Sequence, residues 1–484
     1  MTKVKMEPAE VFACFAEINK IPRPSKKEEK MIEFLKNYGE KLGLEAKVDE
    51  VGNVIIRKPA TKGYEDRETT VIQSHMDMVC EKDSNIEFDF MNDPINTEVD
   101  GEWLKAKGTT LGADDGIGVA MELAVLKDDS IEHGPLECVF TRDEETQLTG
   151  ASGMKSGFMT GKYLLNLDSE DEGEIFISCA GGASTKAVFH FNMEEAPKDY
   201  YFFKVGISGL TGGHSGDDIE KKRANANKLI VRFLYNEMKK FDLRISDIQS
   251  GGLHNAIPRD GWAVCAVPMK DKENIRIDAN VYVSEIEEEY SVTEKSLKFY
   301  VESADVADVI EKECAKKIIA SLQAVDNGVF AMSQDIDWLV ETSSNLASIH
   351  KNGNEIEIVT SQRSNIGSAR KNMSATVAAA FELGGAEVFT TDGYPGWKLN
   401  PDSELLKLAV DSYKRLFNKE PKVLAIHAGL ECGLFSERYP HMDMVSFGPT
   451  LRGVHSPEEK LLIPTVEKVW DFLLEILKNI PKKK

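Results

Sequence analysis

Acidic and histidine side chains follow several apolar runs in this sequence. His75 and Asp77 come directly after the run VIQS, Glu144 and Glu145 follow LECVFTRD, and Asp168 ends YLLNLD. Alternate residues of a strand point to the same side, so His75 and Asp77 can form a metal ligand and its neighbour. In open α/β sheets, sites form at the carboxyl ends of the strands. We therefore expect these side chains to converge.

Two further segments complete a ligand set for metal ions. Asp114 lies in the Gly-bounded turn GADDG, and His455 lies in VHSPEE. Two histidines and three carboxylates, with no cysteine, suit zinc, manganese or cobalt. Five ligands are too many for one tetrahedral ion, so two ions that share Asp114 fit better. Such a pair lowers the pKa of bound water toward ~7 and polarises a carbonyl. The predicted ligands are His75, Asp114, Glu145, Asp168 and His455.

The remaining acids beside this set have chemical roles of their own. Asp77 can accept the second imidazole N–H of His75 and fix its tautomer. Glu144 and Glu145 are adjacent, so their side chains diverge, and one can bind metal while the other transfers protons. The residues alone do not decide which. Each acid has an ordinary surface role as its alternative in a chain with 81 acidic residues, but their placement at successive strand ends favours a site.

The elements that position these residues predict two domains. A chain of 484 residues exceeds the usual size of one core. Strands and helices alternate up to about residue 182, whereas alternating strands and amphipathic helices of an α+β domain follow, with NVYVSEIEEEY (280–290) among the predicted strands. If His455 shares a site with His75, the tail belongs to the first domain. The prediction is a discontinuous catalytic domain, 1–184 and 396–484, with 185–395 inserted.

Composition excludes several classes of partner. The formal charge, 59 minus 81 or −22, repels polyphosphate and disfavours nucleic acid. No run approaches the ~18 apolar residues of a membrane span, and the N-terminus lacks an export signal. Seven scattered cysteines without a CxxC pair do not resemble a disulfide framework. We expect a cytoplasmic protein that binds neither nucleic acid nor membrane.

The motifs SHMDM, TLGADDGIG, RDEET, GGHSGDDI, NAIPR, HAGLECG and PTLRGVHSPEE resemble those of the M20 metallopeptidases, in particular the aminoacyl-histidine dipeptidases, over nearly the whole chain. The resemblance implies an α/β fold: a zinc-exopeptidase-like mixed-sheet catalytic domain with an inserted α+β lid and dimerisation domain, and so a homodimer. It also implies two Zn²⁺ per subunit, with Mn²⁺ or Co²⁺ as substitutes.

The same resemblance implies a role for each residue of the set. One zinc would be held by His75, Asp114 and Asp168, and the other by Asp114, Glu145 and His455. Asp77 would orient His75, and Glu144 would be the general base. A cis peptide is implied between Asp114 and Asp115.

The inserted domain carries further candidates. From the residues alone, His214 in GGHSGDD is turn chemistry, Asn255 is a strand-to-turn residue, and Arg363 in SQRS is a surface residue. The resemblance instead implies that His214 stabilises the oxyanion, from a partner subunit in dimeric members, and that Asn255 and Arg363 bind the substrate's C-terminal carboxylate. Gly429 and Glu431 of HAGLECG are predicted to shape the substrate pocket, with a helix start as the alternative.

The predicted function is hydrolysis of unblocked dipeptides, Xaa-His among them, by metal-activated water and a glutamate base. The alternatives are another M20 activity (a tripeptidase, carboxypeptidase or N-acyl amino acid deacylase) and a non-catalytic metal-binding relative. The presence of both Asp77 and Glu144 argues against the last, because a protein without catalysis needs neither.

Overall fold

The computed structural model describes residues 4–334, 336 and 338–484, which divide into two compact units. The segment 426–429, expected in the first domain, clusters with the second unit. Unit 1 comprises the residues up to Ser178 together with Trp397–Ala425 and Leu430–Lys484, and unit 2 comprises Cys179–Gly396 and Ile426–Gly429.

Helices and strands alternate along most of the chain. The helices are α1 (Ala9–Ile18), α2 (Glu29–Lys41), α3 (Ala113–Lys127), α4 (Glu144–Gln147), α5 (Thr149–Gly153), α6 (Ala226–Lys240), α7 (Lys272–Glu289), α8 (Lys312–Ala324), α9 (Gly367–Leu383), α10 (Glu404–Phe417), α11 (Glu431–Arg438) and α12 (Ile463–Asn479), with short 3-10 helices at Ile219–Lys221 and Met269–Asp271.

The strands of the first half are β1 (Glu45–Val48), β2 (Val54–Lys58), β3 (Thr70–His75), β4 (Thr97–Asp100), β5 (Trp103–Ala106), β6 (Leu136–Thr141), β7 (Tyr163–Asn166), β8 (Glu174–Cys179), β9 (Gly181–His190), β10 (Met193–Glu194), β11 (Tyr200–Ser208) and β12 (Gly213–His214). The remaining strands are β13 (Arg244–Gly251), β14 (Ala256–Ile257), β15 (Gly261–Pro268), β16 (Lys298–Ser303), β17 (Val309–Ile310), β18 (Gly328–Met332), β19 (Val340–Asn352), β20 (Glu355–Ser364), β21 (Glu387–Thr390), β22 (Lys422–Ile426), β23 (Asp443–Ser446), β24 (Leu451–Arg452) and β25 (Lys460–Leu462).

Unit 1 is built on an eight-stranded mixed sheet in the order β1-β2-β6-β3-β7-β23-β8-β22. Strand β3 pairs in parallel with β6 on one side and β7 on the other, and all three are buried along their length. Parallel strands covered on both faces are apolar without alternation, which is why these runs could be recognised in the sequence. Because the three strands run in the same direction, their carboxyl ends meet at one edge of the sheet.

A four-stranded sheet of unit 1, in the order β24-β25-β5-β4, carries the C-terminal candidate ligand. His455 lies in the connection between β24 and β25, whose strands pair antiparallel from Leu451 opposite Leu461. A hairpin turns at Gly52-Asn53, where β1 and β2 pair antiparallel on either side of it.

Unit 2 is built on a nine-stranded sheet in the order β16-β11-β15-β13-β19-β20-β9-β21, with β18 beside β19. Its neighbouring strands pair antiparallel, and helices α6 to α9 contribute to a second apolar core. A separate two-stranded ribbon joins β12 to β14. The α+β character predicted for this region is therefore observed.

The prediction of a strand at 280–290 was wrong, because most of that segment lies in helix α7. The buried residues of the helix are Ile275, Ala279, Tyr282 and Ile286, which recur at helical spacing, whereas Val281 is exposed. The local alternation around Tyr282 fits a strand equally well, and packing against the core of unit 2 decides for the helix. Within the described residues, no helix combines the length and apolar character needed to cross a lipid bilayer.

Candidate metal centre

His75 is the last residue of β3 and is only 1% exposed. Its Nε2 atom lies 3.0 Å from Asp114 Oδ1 and 3.4 Å from Asp168 Oδ1. On the opposite side of the ring, Nδ1 lies 3.5 Å from Asp77 Oδ1, longer than an ordinary hydrogen bond, and has no hydrogen-bond partner among the described residues. The imidazole is thus placed between two predicted ligands and its predicted orienting residue.

His455 approaches the same aspartate from the other side. Its Nε2 atom lies 3.2 Å from Asp114 Oδ2 and 2.9 Å from Glu145 Oε2. Each carboxylate oxygen of Asp114 therefore faces a different histidine. All five predicted ligands are brought together in unit 1, although His455 follows Asp114 by 341 residues.

The backbone around Asp114 departs from helical geometry. Helix α3 begins at Ala113, but Asp114 (ψ 111°) and Asp115 (φ −103°, ψ 31°) are not helical, and the peptide bond between them is cis, as the resemblance implies. Asp115 does not face the histidines with its neighbour: its Oδ2 accepts a hydrogen bond from the backbone N–H of His75 at 3.3 Å. Consecutive aspartates thus contact different parts of the same strand end.

Asp77 joins the strand end at His75 to the corner that carries the paired glutamates. Its Oδ1 accepts a hydrogen bond from the backbone N–H of Glu144 at 3.0 Å, and its Oδ2 accepts from that of Glu145 at 3.3 Å. The hydroxyl of Ser25 donates to Oδ2 at 2.7 Å. One buried carboxylate therefore fixes the positions of both neighbouring segments.

The carboxylates of the centre are crowded and largely removed from water. Burial raises the pKa of Asp168 to about 6, an effect that His75 only partly offsets. Burial also raises the pKa of Glu144 well above its usual range, and burial together with the charge of Asp114 raises that of Glu145. Ionising all of these groups is unfavourable unless positive charge is supplied.

The histidines respond in the opposite sense. Hydrogen bonds to Asp114 and Glu145 raise the pKa of His455 to about 11. Burial acts to lower the pKa of His75, but the carboxylates around it, Asp168 first, outweigh burial and raise the pKa well above its usual value. The site therefore attracts protons or metal ions to the same atoms.

The donor set fits divalent metal ions. Atoms of His75, Asp114 and Glu145 all lie within 4.8 Å of one another. Glu145 Oε1 is buried and, among the described residues, accepts no hydrogen bond, so it is available to an ion. Imidazole nitrogen and carboxylate oxygen are the ligands that zinc and manganese use in hydrolases.

A second group of buried acids, Glu28, Asp77 and Asp143, lies behind this centre. Its members already have protein partners. Arg142 Nη2 donates to Glu28 Oε2 at 2.7 Å, and the hydroxyls of Thr146 and Thr149 donate to Asp143. We interpret this group as a network that supports Asp77.

Glu431 is the first residue of α11 and is fully buried in unit 1. Its Oε2 accepts hydrogen bonds from Gln73 Nε2 at 2.7 Å and from the Thr141 hydroxyl at 2.6 Å. Gln73 and Thr141 belong to the neighbouring strands β3 and β6, and burial raises the pKa of Glu431 to about 8. Glu431 does begin a helix, as the alternative interpretation stated. Its hydrogen bonds also join the ends of β3 and β6, which precede the predicted metal ligands.

Three of the remaining predicted residues lie together in unit 2. His214 pairs across the β12-β14 ribbon with Ala256, next to Asn255, whose backbone oxygen accepts from Ser215 N at 2.8 Å. Arg363 Nη2 lies 3.3 Å from His214 Nε2. Arg363 is only 6% exposed, so its interpretation as a surface residue was wrong.

Two aromatic side chains of unit 2 were not singled out by the sequence analysis. The Tyr394 hydroxyl accepts from Arg363 Nη1 at 3.1 Å, and a Cβ at Gly429 would lie only 2.7 Å from the Tyr394 ring. His427 lies 2.8 Å from the Ser343 hydroxyl, and burial lowers its pKa to about 3, so the ring is neutral. The HAGLECG motif, which begins at His427, was the available signal for this residue; nothing local marks Tyr394.

Comparison with known proteins identifies relatives of this chain. Residues 71–479 match peptidase family M20/M25/M40. The chain is 42% identical over 481 residues to the cytosol non-specific dipeptidase of Escherichia coli K12, with 99% of both chains covered. The crystal structure of the aminoacylhistidine dipeptidase from Vibrio alginolyticus superposes with a TM-score of 0.93 at 41% identity, covering 99% of this chain and 98% of that one.

A more distant structure, a tripeptidase from Staphylococcus aureus, has a TM-score of 0.57 at 16% identity, covers 97% of this chain and 98% of its own, and shows the shared fold alone. The predicted fold class and enzyme class are both confirmed by the full-length matches. Since the family match and the full-length relative each span most of the sequence, the chain belongs to peptidase family M20/M25/M40 and is an M20 metallopeptidase.

Proposed function

We propose that this metallopeptidase is a dinuclear dipeptidase that hydrolyses unblocked dipeptides, with Xaa-His peptides among its substrates. The observation that carries the proposal is the position of Asp114, whose two oxygens face His75 and His455. The names of its full-length relatives, a non-specific dipeptidase and an aminoacylhistidine dipeptidase, favour dipeptides over tripeptides or N-acyl amino acids.

The metals of this proposal are two Zn²⁺, with Mn²⁺ or Co²⁺ as substitutes. His75, Asp114 and Asp168 would hold one ion, and Asp114, Glu145 and His455 the other. When bound, such a pair supplies Lewis acidity that acidifies water and polarises the scissile carbonyl. The crowding of buried carboxylates around Asp114 supports this assignment, because two cations relieve it.

Glu144 is the proposed general base. Burial raises the pKa of its carboxyl, which increases its affinity for a proton taken from water. The same carboxyl then returns the proton to the amine that leaves. Asp77 supports both the proton transfer and the metal binding. It accepts a hydrogen bond from the Glu144 backbone N–H, and it faces Nδ1 of His75, leaving Nε2 for the ion.

Residues of unit 2 are the proposed substrate-binding groups. Arg363 and Asn255 would bind the C-terminal carboxylate of the peptide, and His214 would stabilise the oxyanion. The hydrogen bond from Arg363 to the Tyr394 hydroxyl supports a fixed guanidinium, and the contact between Arg363 and His214 supports a common function. A binding site for the terminal carboxylate explains a preference for short peptides.

We also propose a cytoplasmic homodimer that associates through unit 2. The name of the Escherichia coli relative supports the location. Phe330 and Met332 on β18 are 56% and 44% exposed, which supports an apolar contact surface on this unit. Sedimentation of the purified protein over a range of micromolar concentrations tests the proposed dimer. A monomer at every concentration contradicts it.

One experiment addresses the proposed function directly. The enzyme is stripped of metal, reloaded with Zn²⁺, Mn²⁺ or Co²⁺, and assayed on β-alanyl-histidine, Leu-Gly, a tripeptide and an N-acetyl amino acid. We expect two ions per subunit, no turnover after stripping, and the highest kcat/KM on the dipeptides. Fastest turnover of the tripeptide or the acylated amino acid, or a single ion at saturation, would contradict the proposal.

A further inference from the structure

Glu459 is a buried carboxylate that binds the chain segment leading into Asp114. It is the last residue of the connection between β24 and β25, which also carries His455, and it is only 2% exposed. Each of its two carboxylate oxygens accepts two backbone hydrogen bonds, so four consecutive N–H groups converge on one side chain. The donors are Leu111 (2.8 Å), Gly112 (3.0 Å), Ala113 (2.7 Å) and Asp114 (3.3 Å).

This pattern requires an acceptor at both oxygens of Glu459. An amide would present an –NH₂ group to two of the donors, leaving them buried and without an acceptor. The arrangement is not the ordinary capping of a helix, because Asp114 and Asp115 do not have helical geometry. The N–H groups belong instead to the irregular turn that aims the Asp114 carboxylate.

The turn is also held from its carbonyl side. The buried guanidinium of Arg23 donates from Nη2 to the Gly112 carbonyl at 2.7 Å. Gly112 has a φ of +66°, and a Cβ there would lie 2.5 Å from Arg23 Nη2, so both the conformation and the close approach require glycine. Donors and acceptors of the same turn are therefore fixed from two directions.

Glu459 follows His455 by four residues, so the segment that supplies one histidine also holds the backbone of the aspartate between both. His455 itself is half-exposed, with a φ of +60°, and lies outside any helix or strand. Hydrogen bonds within its own connection join nearby residues, as from the Glu459 N–H to the Ser456 carbonyl at 3.0 Å. The four hydrogen bonds to Glu459 tie this connection to the turn that carries Asp114.

We propose that Glu459 is a positioning residue that sets the distance between Asp114 and His455 and thereby the affinity of the centre for metal ions. This inference rests on the proposed function, because it assumes that Asp114 and His455 bind ions. The ligands themselves stay unchanged when Glu459 is replaced, so an effect on metal binding passes either through the turn at 111–114 or through the lost charge of Glu459, and Glu459→Asp, which keeps the charge, separates the two.

The test compares Glu459→Gln with Glu458→Gln, the exposed glutamate beside it, in the full-length enzyme. Zn²⁺ is titrated into metal-free protein against a chromophoric chelator. We expect Glu459→Gln to weaken binding by at least about tenfold, as loss of a ligand's supporting group does in other metal sites. At saturating Zn²⁺, kcat on Leu-Gly should fall while KM stays the same. Glu458→Gln should match wild type.

The outcome that overturns the inference is wild-type Zn²⁺ affinity in Glu459→Gln, even if its unfolding temperature without metal is lower. If that variant does not fold, Glu459→Asp decides, because it keeps the charge but is one methylene too short to reach all four N–H groups. We expect weaker Zn²⁺ binding there too, and unchanged affinity would again overturn the inference. A wild-type enzyme that binds fewer than two ions would instead contradict the proposed function.

Discussion

The two histidines of the candidate metal centre reach Asp114 from very different parts of unit 1. His75 ends a central strand and is 1% exposed, with parallel neighbours on both sides and Asp77 facing its far nitrogen. His455 lies in a connection between two short strands, and its side chain is 51% exposed. The sheet itself positions the first, whereas the segment of the second accepts hydrogen bonds from a distant turn through Glu459.

This difference separates two ways of building a ligand. A residue at a strand end inherits its position from the packing of the core, so its removal disturbs the fold as well as the site. A residue in a connection can be lost with little effect on the fold, but its geometry is only as fixed as the contacts that hold the connection. The comparison therefore predicts that similar losses of metal binding will come with different losses of stability.

The largest kinetic effect should come from the pair of glutamates between the two sides. We expect Glu144→Gln to lower kcat by about 10²–10⁴-fold, the usual contribution of a general base, while two ions remain bound. Glu145→Gln should instead weaken metal binding on the His455 side, since its carboxylate lies 2.9 Å from that histidine. Stopped-flow kinetics and metal analysis of both variants separate the roles. An active Glu144→Gln enzyme would assign the base elsewhere.

His75→Ala and His455→Ala test the comparison itself. Both should bind less metal. His75→Ala should also lower the free energy of unfolding of the metal-free protein by about 3 kcal/mol, because it leaves buried carboxylates without their partner. His455→Ala should lower that free energy by less, because the His455 side chain is 51% exposed and water can reach the carboxylates that it leaves. Denaturant unfolding without metal measures both, and equal losses would remove the distinction.

The same distinction explains what the sequence could predict. His75, Glu145 and Asp168 were found because buried parallel strands are continuous apolar runs and polar residues stand out at their ends. His455 follows no buried strand; VHSPEE offered it only as a second histidine for the ligand set, and the resemblance then assigned it to an ion. Its anchor, Glu459, was visible as the second acid of HSPEE, but the turn that it binds lies about 345 residues earlier, and no periodic pattern records such a contact.

Two other features show where local patterns fail. The alternation around Tyr282 predicted a strand, yet the burial of Ile275 and Ile286 on the same face identifies a helix once the core is known. The segment 426–429 joins unit 2 although its neighbours on both sides belong to unit 1, because the backbone at Ala180 donates to the carbonyls of Ile426 and Ala428 at 3.0 Å. Both outcomes depend on tertiary contacts.

Asp77→Asn should have a smaller effect than the loss of a ligand. An amide keeps the shape but can present –NH₂ to His75 Nδ1, which disfavours the tautomer that leaves Nε2 free for metal. We expect metal affinity or kcat/KM to fall by about 10–100-fold. Chelator competition and kinetics measure the loss, with the exposed Asp83→Asn as the control. Weaker binding of the ion at His75, with unchanged binding of the ion at His455, would support the distinction between the two histidines. Unchanged metal affinity and kcat/KM would contradict it.

The smallest effect at neutral pH should come from Glu431→Gln. Burial raises the pKa of Glu431 to about 8, so the folded protein holds a proton that the unfolded chain releases near pH ~4.3. Within that window the folded state binds more protons, and the free energy of unfolding therefore falls as the pH rises. Glutamine mimics the protonated acid at the Gln73 and Thr141 contacts, so we expect kcat/KM within about threefold of wild type, an effect below ~1 kcal/mol. The difference appears in metal-free unfolding between pH 5 and 8, where Glu431→Gln should lose less stability than wild type and than the exposed Glu437→Gln control. If the free energy of unfolding depends on pH equally in all three proteins, Glu431 is ionised in the folded state. The His75 side of the centre is then less shielded from water than the burial of Glu431 implies.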